Sequence, residues 1–140
     1  EPLIGMAQVL GWHVTVCDHR SAYTENPAIQ VAESVHCGEP RHVMDVVDLQ
    51  RIDAAIIMSH NLAADTEYLK LFANSEVGFV GLIGPPQRRE RLLSELGGQA
   101  ALLADRLRAP VGAQIGGRGP AAIALEIVAE LQAYFSPDKS

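Results

Sequence analysis

Two segments that combine glycine with arginine are the parts of the sequence best suited to bind an anion. The first, residues 81–91, runs from an apolar strand through a turn at Gly84 into a helix whose early residues include Arg88 and Arg91. Cations at a helix N-terminus oppose the helix dipole, so this placement indicates a bound anion or neighbouring carboxylates. The segment predicts a phosphate site; the alternative is a solvated basic face paired with glutamates of the same helix.

The second segment, residues 112–120, places several glycines around an arginine, immediately before an apolar helix that opens with Pro120. Glycine lets a ligand approach the backbone closely, and amide groups at a helix N-terminus favour negative charge. An arginine there can hold a phosphate through two parallel hydrogen bonds. We predict an anion-binding turn, the alternative being a flexible loop. Its candidate residues are Gly112, Gly116, Gly117 and Arg118.

Two further candidates follow predicted strands. Asp18 ends the strand over residues 13–18, where an acidic residue of a dinucleotide-binding fold accepts hydrogen bonds from ribose hydroxyls and disfavours a 2′-phosphate. The alternative for Asp18 is pairing with Arg20 or with solvent. His60 follows an apolar strand and can act as an acid, base or ligand near neutral pH. General grounds favour a capping role for this segment instead, with Asn61 as the N-cap of the next helix.

The sequence contains two cysteines, Cys17 and Cys37, on or beside strands that we expect to be neighbours. Two cysteines indicate neither a disulfide scaffold nor a zinc site. We interpret both as small buried apolar side chains, with a persulfide-carrying role as the alternative. The remaining histidines show no metal-ligand spacing with the cysteines. These are His13, His19, His36 and His42.

The composition is that of one ordinary globular domain. The 140 residues are 48% hydrophobic and 20% charged, which allows a core of normal size. A formal charge of -6 argues against non-specific nucleic-acid binding through a large basic face. No apolar run reaches the roughly 18 residues that span a bilayer, and no basic-then-apolar signal segment opens the chain. We therefore expect a cytoplasmic protein that binds no membrane.

Strands alternate with helices along the chain, which predicts a Rossmann-like α/β fold: a parallel sheet with helices on both faces. In such sheets ligands bind outside the carboxyl ends of the strands, where the candidate residues lie. The predicted strands are residues 13–18, 34–38, 53–59 and 77–83. The predicted helices are residues 1–10, 43–51, 61–73, 86–96, 100–107 and 120–135.

The chain opens as a helix, so we expect the first strand and its glycine turn to lie upstream; the alternative is that this helix leads the fold. The domain is expected to span residues 1–135, followed by a polar tail over residues 136–140. Apolar residues at helical spacing predict the buried faces of the first and last helices. These residues are Leu3, Met6, Ala7 and Leu10 in the first helix and Ile123, Ile127, Leu131 and Phe135 in the last.

Four motifs in a fixed order carry a family resemblance. They are Asp18-x-Arg20, Met58-Ser59-His60 with Asp65, Val80-Gly81-Leu82-Ile83-Gly84 with Arg88 and Arg91, and Ala109-Pro110-Val111-Gly112 with Ile115-Gly116 and the helix from Pro120. Together they resemble the C-terminal Rossmann-type domain of the XdhC/CoxI family over essentially the whole chain. Each motif alone is weak, but their order is specific.

The resemblance implies an accessory protein, without catalysis of its own, that binds the molybdenum cofactor and inserts it into a xanthine dehydrogenase-type molybdenum hydroxylase. The implied partners are that apoenzyme and a sulfurtransferase, with a homo-oligomeric state. The cofactor would be held by the candidate residues at the strand ends and glycine turns. These are Asp18, Arg20, His60, Gly84, Arg88, Arg91, Gly112, Gly116, Gly117 and Arg118.

Two alternatives stay open. One is an NAD(P)-binding Rossmann oxidoreductase or dinucleotide-sensing domain, with Asp18 favouring NAD and His60 as a candidate acid. The other is a structural oligomerisation domain that has lost its ligand. Two departures from the family pattern support this second alternative: Pro85 removes a backbone N–H, and Gly119 removes a capping hydroxyl.

Overall fold

The computed structural model describes residues 2–113 and 116–136. Its strands are β1 (Thr15–Asp18), β2 (Ser34–Cys37), β3 (Ala55–Ile57), β4 (Val80–Leu82) and β5 (Leu107–Arg108). Its α-helices are α1 (Pro2–Val9), α2 (Ser21–Thr24), α3 (Pro27–Gln30), α4 (Val43–Val46), α5 (Leu62–Ala73), α6 (Pro86–Leu96) and α7 (Pro120–Phe135). Short 3₁₀ helices cover Pro40–His42, Leu49–Arg51 and Gly97–Leu103.

The chain divides into two compact units. The first unit contains Glu1–Gly38 and Gly112–Ser140, and the second contains Glu39–Val111. Each unit has its own parallel sheet, β1-β2 in the first and β3-β4-β5 in the second. The prediction of a parallel α/β architecture is therefore confirmed. Of the predicted polar tail, only Ser136 lies within the described residues.

In the first unit, β1 and β2 pair in parallel register, with Asp18 opposite Cys37. The helices α1 and α7 pack beside each other, and the rings of Trp12 and Phe135 meet edge to face at 5.2 Å. The predicted helix faces are confirmed in part, since Ala7, Ile127 and Leu131 are buried as expected. Helix α1 buries Ile4 and Ala7, whereas Leu10 is exposed. Helix α7 buries Ala124, Ile127, Val128 and Leu131, while Ile123 and Phe135 are exposed.

In the second unit, the sheet order is β3-β4-β5, and all pairs are parallel. The close packing of this sheet requires Gly81 at the centre of β4. A Cβ there would lie 2.7 Å from Val111 Cγ2 and 2.9 Å from Ile56 Cδ1. The unit contains a contiguous cluster of buried apolar side chains. It consists of Ile57, Leu69, Phe72, Ala73, Val77, Val80, Leu82, Leu92, Leu96 and Leu103.

Two helix predictions in the second unit are wrong. The helix over residues 43–51 is interrupted, since Val47 is extended (φ -128, ψ 127) and the Asp48 carboxylate accepts the N–H of Gln50 to start a new 3₁₀ turn. The helix over residues 100–107 is replaced by a 3₁₀ helix and by β5. The open edge of β4 explains this change, because pairing of Leu107 with Val80 outweighs local helix preference.

The short helices α2 and α3 were also not predicted from the sequence. A recognisable signal precedes α3: Asn26 accepts the N–H of Ala28 at 2.9 Å, and Pro27 occupies the first helical position. The longest described helix, α7, has 16 residues. Over residues 2–113 and 116–136, none of the helices combines the length and apolarity needed to cross a membrane.

Candidate functional site

A buried aspartate of the second unit contacts the segment that follows the carboxyl end of β3. Asn61 caps α5 by accepting the N–H of Ala64 at 2.9 Å, and Asp65 follows one turn later. The Asp65 side chain is only 1% exposed. Its Oδ1 accepts the backbone N–H of Ser59 at 3.3 Å and also the Ser59 hydroxyl. The carboxylate thereby ties the segment after β3 to the first turn of α5.

The other oxygen of Asp65 holds an arginine from α6. Arg88 Nη2 donates to Asp65 Oδ2 at 2.5 Å, and the Arg88 side chain is 22% exposed. Gly84 makes room for this arrangement: its φ is +127, and a Cβ there would lie 2.7 Å from Arg88 Cδ. The three residues form what we call the Asp65–Arg88 site, with Gly84 at its base.

The guanidinium of Arg88 has donors beyond the one that Asp65 receives. Its Nε is buried and has no hydrogen-bond partner among the described residues. Buried polar atoms are nearly always hydrogen-bonded, and an orphaned donor indicates a missing acceptor. An oxyanion is the acceptor that a planar guanidinium fork matches best. The hydrogen bonding of Arg88 thus has room for one further acceptor beside Asp65.

The basic start of α6 divides into residues with different roles. Arg89 donates to Glu90 across 2.9 Å, which matches the predicted pairing within the helix. Arg88 instead finds its carboxylate 23 residues earlier, on α5. Arg91 is exposed and makes no hydrogen bond or ion pair within the described part of the chain. Of the two predicted arginines, the structure places only Arg88 at a built site.

His60 lies next to this site in sequence, but its side chain is exposed. Its backbone has a positive φ of 63, so it occupies the tight turn between β3 and the Asn61 cap. Within residues 2–113 and 116–136 it makes no hydrogen bond or ion pair. The expected capping by Asn61 is confirmed. A role for His60 as acid, base or ligand stays a prediction.

A second carboxylate–arginine pair lies at the carboxyl end of β1 in the first unit. Asp18 Oδ1 accepts the backbone N–H of Arg20 at 2.8 Å and its Nε–H at 2.9 Å, while Oδ2 accepts Nη2–H at 2.8 Å. Burial works to raise the pKa of Asp18, but these hydrogen bonds and the charge of Arg20 hold it below its usual value. The geometry matches the alternative prediction, pairing with Arg20.

The cysteines lie beside this pair, on neighbouring strands as predicted. Cys17 is partly buried, and desolvation raises the pKa of its thiol, which disfavours the reactive thiolate. Cys37 is exposed, and its Sγ lies 3.7 Å from the carbonyl oxygen of His19. The interpretation of Cys37 as a buried apolar side chain is therefore wrong, because β2 is the edge partner of β1 and its end is open to solvent.

The glycine loop before α7 already holds anionic groups of its own chain. The N–H of Gly112 donates to a carboxylate oxygen of Glu130 at 2.6 Å, and the N–H of Gly116 donates to Glu126 at 3.3 Å. Both glycines have positive φ, as does Gly117. Arg118 is exposed. Gln114 and Ile115, also in this predicted turn, lie outside the described residues.

The described residues give less support for a metal site or for a binding pocket at the candidate residues. Over the described ranges, no group of three or more His, Cys, Asp and Glu side chains is placed to hold a metal ion. A shallow pocket of about 480 Å³ lies against residues 44–50, and none of the candidate residues lines it. Sequence reasoning gave Asp65 only a minor place. Its signal was an acidic residue in the first turn of a helix that follows a buried strand.

Comparisons with known proteins agree on one family. The family profile of the XdhC Rossmann domain matches residues 1–131. A protein of Bacillus subtilis (strain 168), described as a subunit of a probable xanthine dehydrogenase, is 28% identical over 130 residues. The match covers 93% of this chain and 38% of that protein.

A solved structure supports the same assignment of the fold. The crystal structure described as a xanthine dehydrogenase from Bacillus halodurans is similar with a TM-score of 0.86 and 28% identity. The match covers 99% of this chain and 40% of that one. The chain therefore spans about two fifths of the length of these relatives.

Proposed function

Because the chain belongs to the XdhC Rossmann domain family, we propose that it binds the molybdenum cofactor within a cytoplasmic accessory protein of xanthine dehydrogenase maturation. The names of the two relatives, both of which refer to xanthine dehydrogenase, support this proposal. The partner would be the apoenzyme of a molybdenum hydroxylase, with a sulfurtransferase as a further partner and a homo-oligomer as the working state.

The observation that carries the proposal is the orphaned donor of Arg88. The pterin of the molybdenum cofactor ends in a phosphate or a nucleotide, and a fixed guanidinium suits the recognition of such a group. Asp65 fixes the guanidinium of Arg88 there, and the buried Nε is left without an acceptor among the described residues. A phosphate oxygen would complete the hydrogen bonding of Arg88.

The roles of the protein groups in this proposal are to bind and to orient. The molybdenum centre, when bound, supplies the hydroxylase chemistry, which belongs to the partner enzyme. Arg88 would donate to the phosphate, and Asp65 would keep the guanidinium from turning into solvent. Gly84 would let the backbone after β4 stay close to the Arg88 side chain. Chemistry by residues of this chain is not required, which is consistent with a carrier.

The test compares two adjacent arginines of α6. Arg88→Ala, Arg88→Lys and the control Arg89→Ala would be purified anaerobically from a host that makes the cofactor, and the released pterin measured by fluorescence after oxidation. We expect the pterin content of Arg88→Ala to be at least about tenfold lower than that of the wild-type protein. This factor corresponds to the loss of one charge-assisted hydrogen bond. Arg88→Lys should recover part of it, because a lysine keeps the charge but not the fork.

Arg89→Ala should retain the wild-type pterin content, since Arg89 pairs with its neighbour Glu90 on the exposed side of α6. Circular dichroism would confirm that each variant is folded. Wild-type protein without pterin would contradict the proposal, and so would Arg88→Ala with full pterin content. Titration of the same samples with NAD(H) tests the dinucleotide alternative directly.

A further inference from the structure

The carboxyl end of β1 presents an arginine to solvent and keeps its aspartate hidden. The Asp18 side chain is 7% exposed, and its two oxygens accept three hydrogen bonds from Arg20. A ribose diol needs an accessible acceptor, and little of Asp18 is accessible. Of this pair, Arg20 and not Asp18 is therefore the side chain that a ligand can reach.

Arg20 is held in one orientation by contacts on two sides. Asp18 accepts hydrogen bonds from the Nε–H and from one N–H of Nη2 of Arg20. The guanidinium carbon of Arg20 lies 4.8 Å from the centre of the Tyr23 ring. The Arg20 side chain is nevertheless 47% exposed. Its Nη1 donates to no acceptor within the part of the chain that the structure describes. A guanidinium has five N–H donors, so several remain for a ligand.

We infer that Arg20 makes the carboxyl end of β1 a binding site for a phosphomonoester on the ribose of a nucleotide. Asp18 neutralises one edge of the guanidinium and fixes it, and the remaining edge offers parallel donors that suit phosphate oxygens. In dinucleotide-binding folds an arginine near this strand end accommodates a 2′-phosphate, whereas an accessible acid binds the ribose hydroxyl. This inference is the opposite of the expectation from the sequence, in which Asp18 favours the unphosphorylated ribose.

This inference is independent of the cofactor proposal. It concerns Arg20 in the first unit and a ribose phosphate, whereas the cofactor proposal concerns Arg88 in the second unit and a pterin. A protein that carries pterin but shows no ribose-phosphate preference would overturn only the present inference. A protein without pterin that keeps the preference would overturn only the cofactor proposal.

The test uses two nucleotides that differ by one phosphomonoester. Adenosine 2′,5′-bisphosphate and adenosine 5′-monophosphate would be titrated into the protein at low ionic strength, with dissociation constants taken from NMR chemical shifts. We expect the bisphosphate to bind about tenfold more tightly, the size of one hydrogen bond to a charged group. Raising the salt concentration should reduce the ratio, because Arg20 is half exposed.

Arg20→Gln should bring the ratio of the two constants close to one, and Arg20→Lys should restore part of it. Arg41→Gln is the matched control: that arginine is 72% exposed and also lies two residues from its carboxylate partner, Glu39. Equal binding of the two nucleotides would overturn the inference. The same holds if neither binds, or if the ratio survives in Arg20→Gln.

Discussion

The two aspartate–arginine pairs of this chain use the same chemistry in different settings. Asp18 and Arg20 are two residues apart at the end of one strand, and their side chains are 7% and 47% exposed. Asp65 and Arg88 are 23 residues apart on different helices, and their side chains are 1% and 22% exposed. Both aspartates are buried, but the arginine of the first pair is local and half exposed, whereas the second pair joins two elements of a packed unit.

This difference assigns the two pairs different roles: the first contributes to ligand recognition and the second to the stability of the fold. An ion pair in contact with water adds little to the free energy of unfolding, so Asp18 serves mainly to orient Arg20. A buried pair is costly to break, because the partner that remains is a charge without compensation. Asp65 also accepts hydrogen bonds from the N–H and the hydroxyl of Ser59, which increases its contribution to the stability of the fold. Removing each aspartate should therefore have very different consequences.

The largest effect is expected for Asp65→Ala. The change leaves the Arg88 guanidinium and the Ser59 donors without their acceptor, and we expect the free energy of unfolding to fall by about 3 kcal/mol. Urea denaturation at neutral pH measures it, with Asp105→Ala, an exposed aspartate of the same unit, as the control. A loss no greater than that of the control would remove the distinction between the two pairs.

A third arginine sharpens the comparison, because its donors are fully engaged by the backbone. We expect Arg106→Met to lower the free energy of unfolding by about 2 kcal/mol, since it removes hydrogen bonds to backbone carbonyls at and after the end of α5 and to that of Leu102. Pterin content per folded molecule should stay unchanged, in contrast to Arg88→Ala. A stable Arg106→Met protein that loses pterin would contradict this assignment. The carbonyl acceptors of Arg106 belong to Phe72, Ala73, Ser75, Val77 and Leu102.

The smallest effect is expected for Asp18→Asn, under about 1 kcal/mol at pH 7. Because the pKa of Asp18 is lowered in the folded protein, its ionised form stabilises the fold above the ordinary aspartate pKa of about 4. That contribution is lost as the pH falls through the lowered value. Urea denaturation of wild type and Asp18→Asn should therefore show a difference at pH 7 that shrinks at pH 3. A difference that grows in acid would show that the sign is wrong.

The same contrast explains what the sequence could predict. Both ends of α6 and α7 were predicted correctly, because Pro86 and Pro120 mark their first positions and apolar spacing continues to the end. The pairing of Asp18 with Arg20 was a stated alternative, since a neighbour two residues away is visible in a sequence. These features depend on nearby residues alone.

Features that depend on distant residues were missed. No sequence feature near Arg88 indicates Asp65 as its partner, so the sequence predicts pairing with the glutamates of α6. The strand β5 has two residues and forms because it pairs with the edge of β4. Cys37 was expected to be buried because its residue type favours burial, yet its place at the end of β2 exposes it. In each case tertiary contact outweighed local preference.

The glycine loop ahead of α7 has a consequence for selectivity. Since Glu130 and Glu126 already occupy the amides of Gly112 and Gly116, an outside anion can bind these amides only by exchange. The free energy of an exchange is the difference between two hydrogen-bonded acceptors, which is small even when each contact is strong. Such a loop would rank incoming anions by their strength as acceptors relative to a carboxylate, and not by negative charge alone.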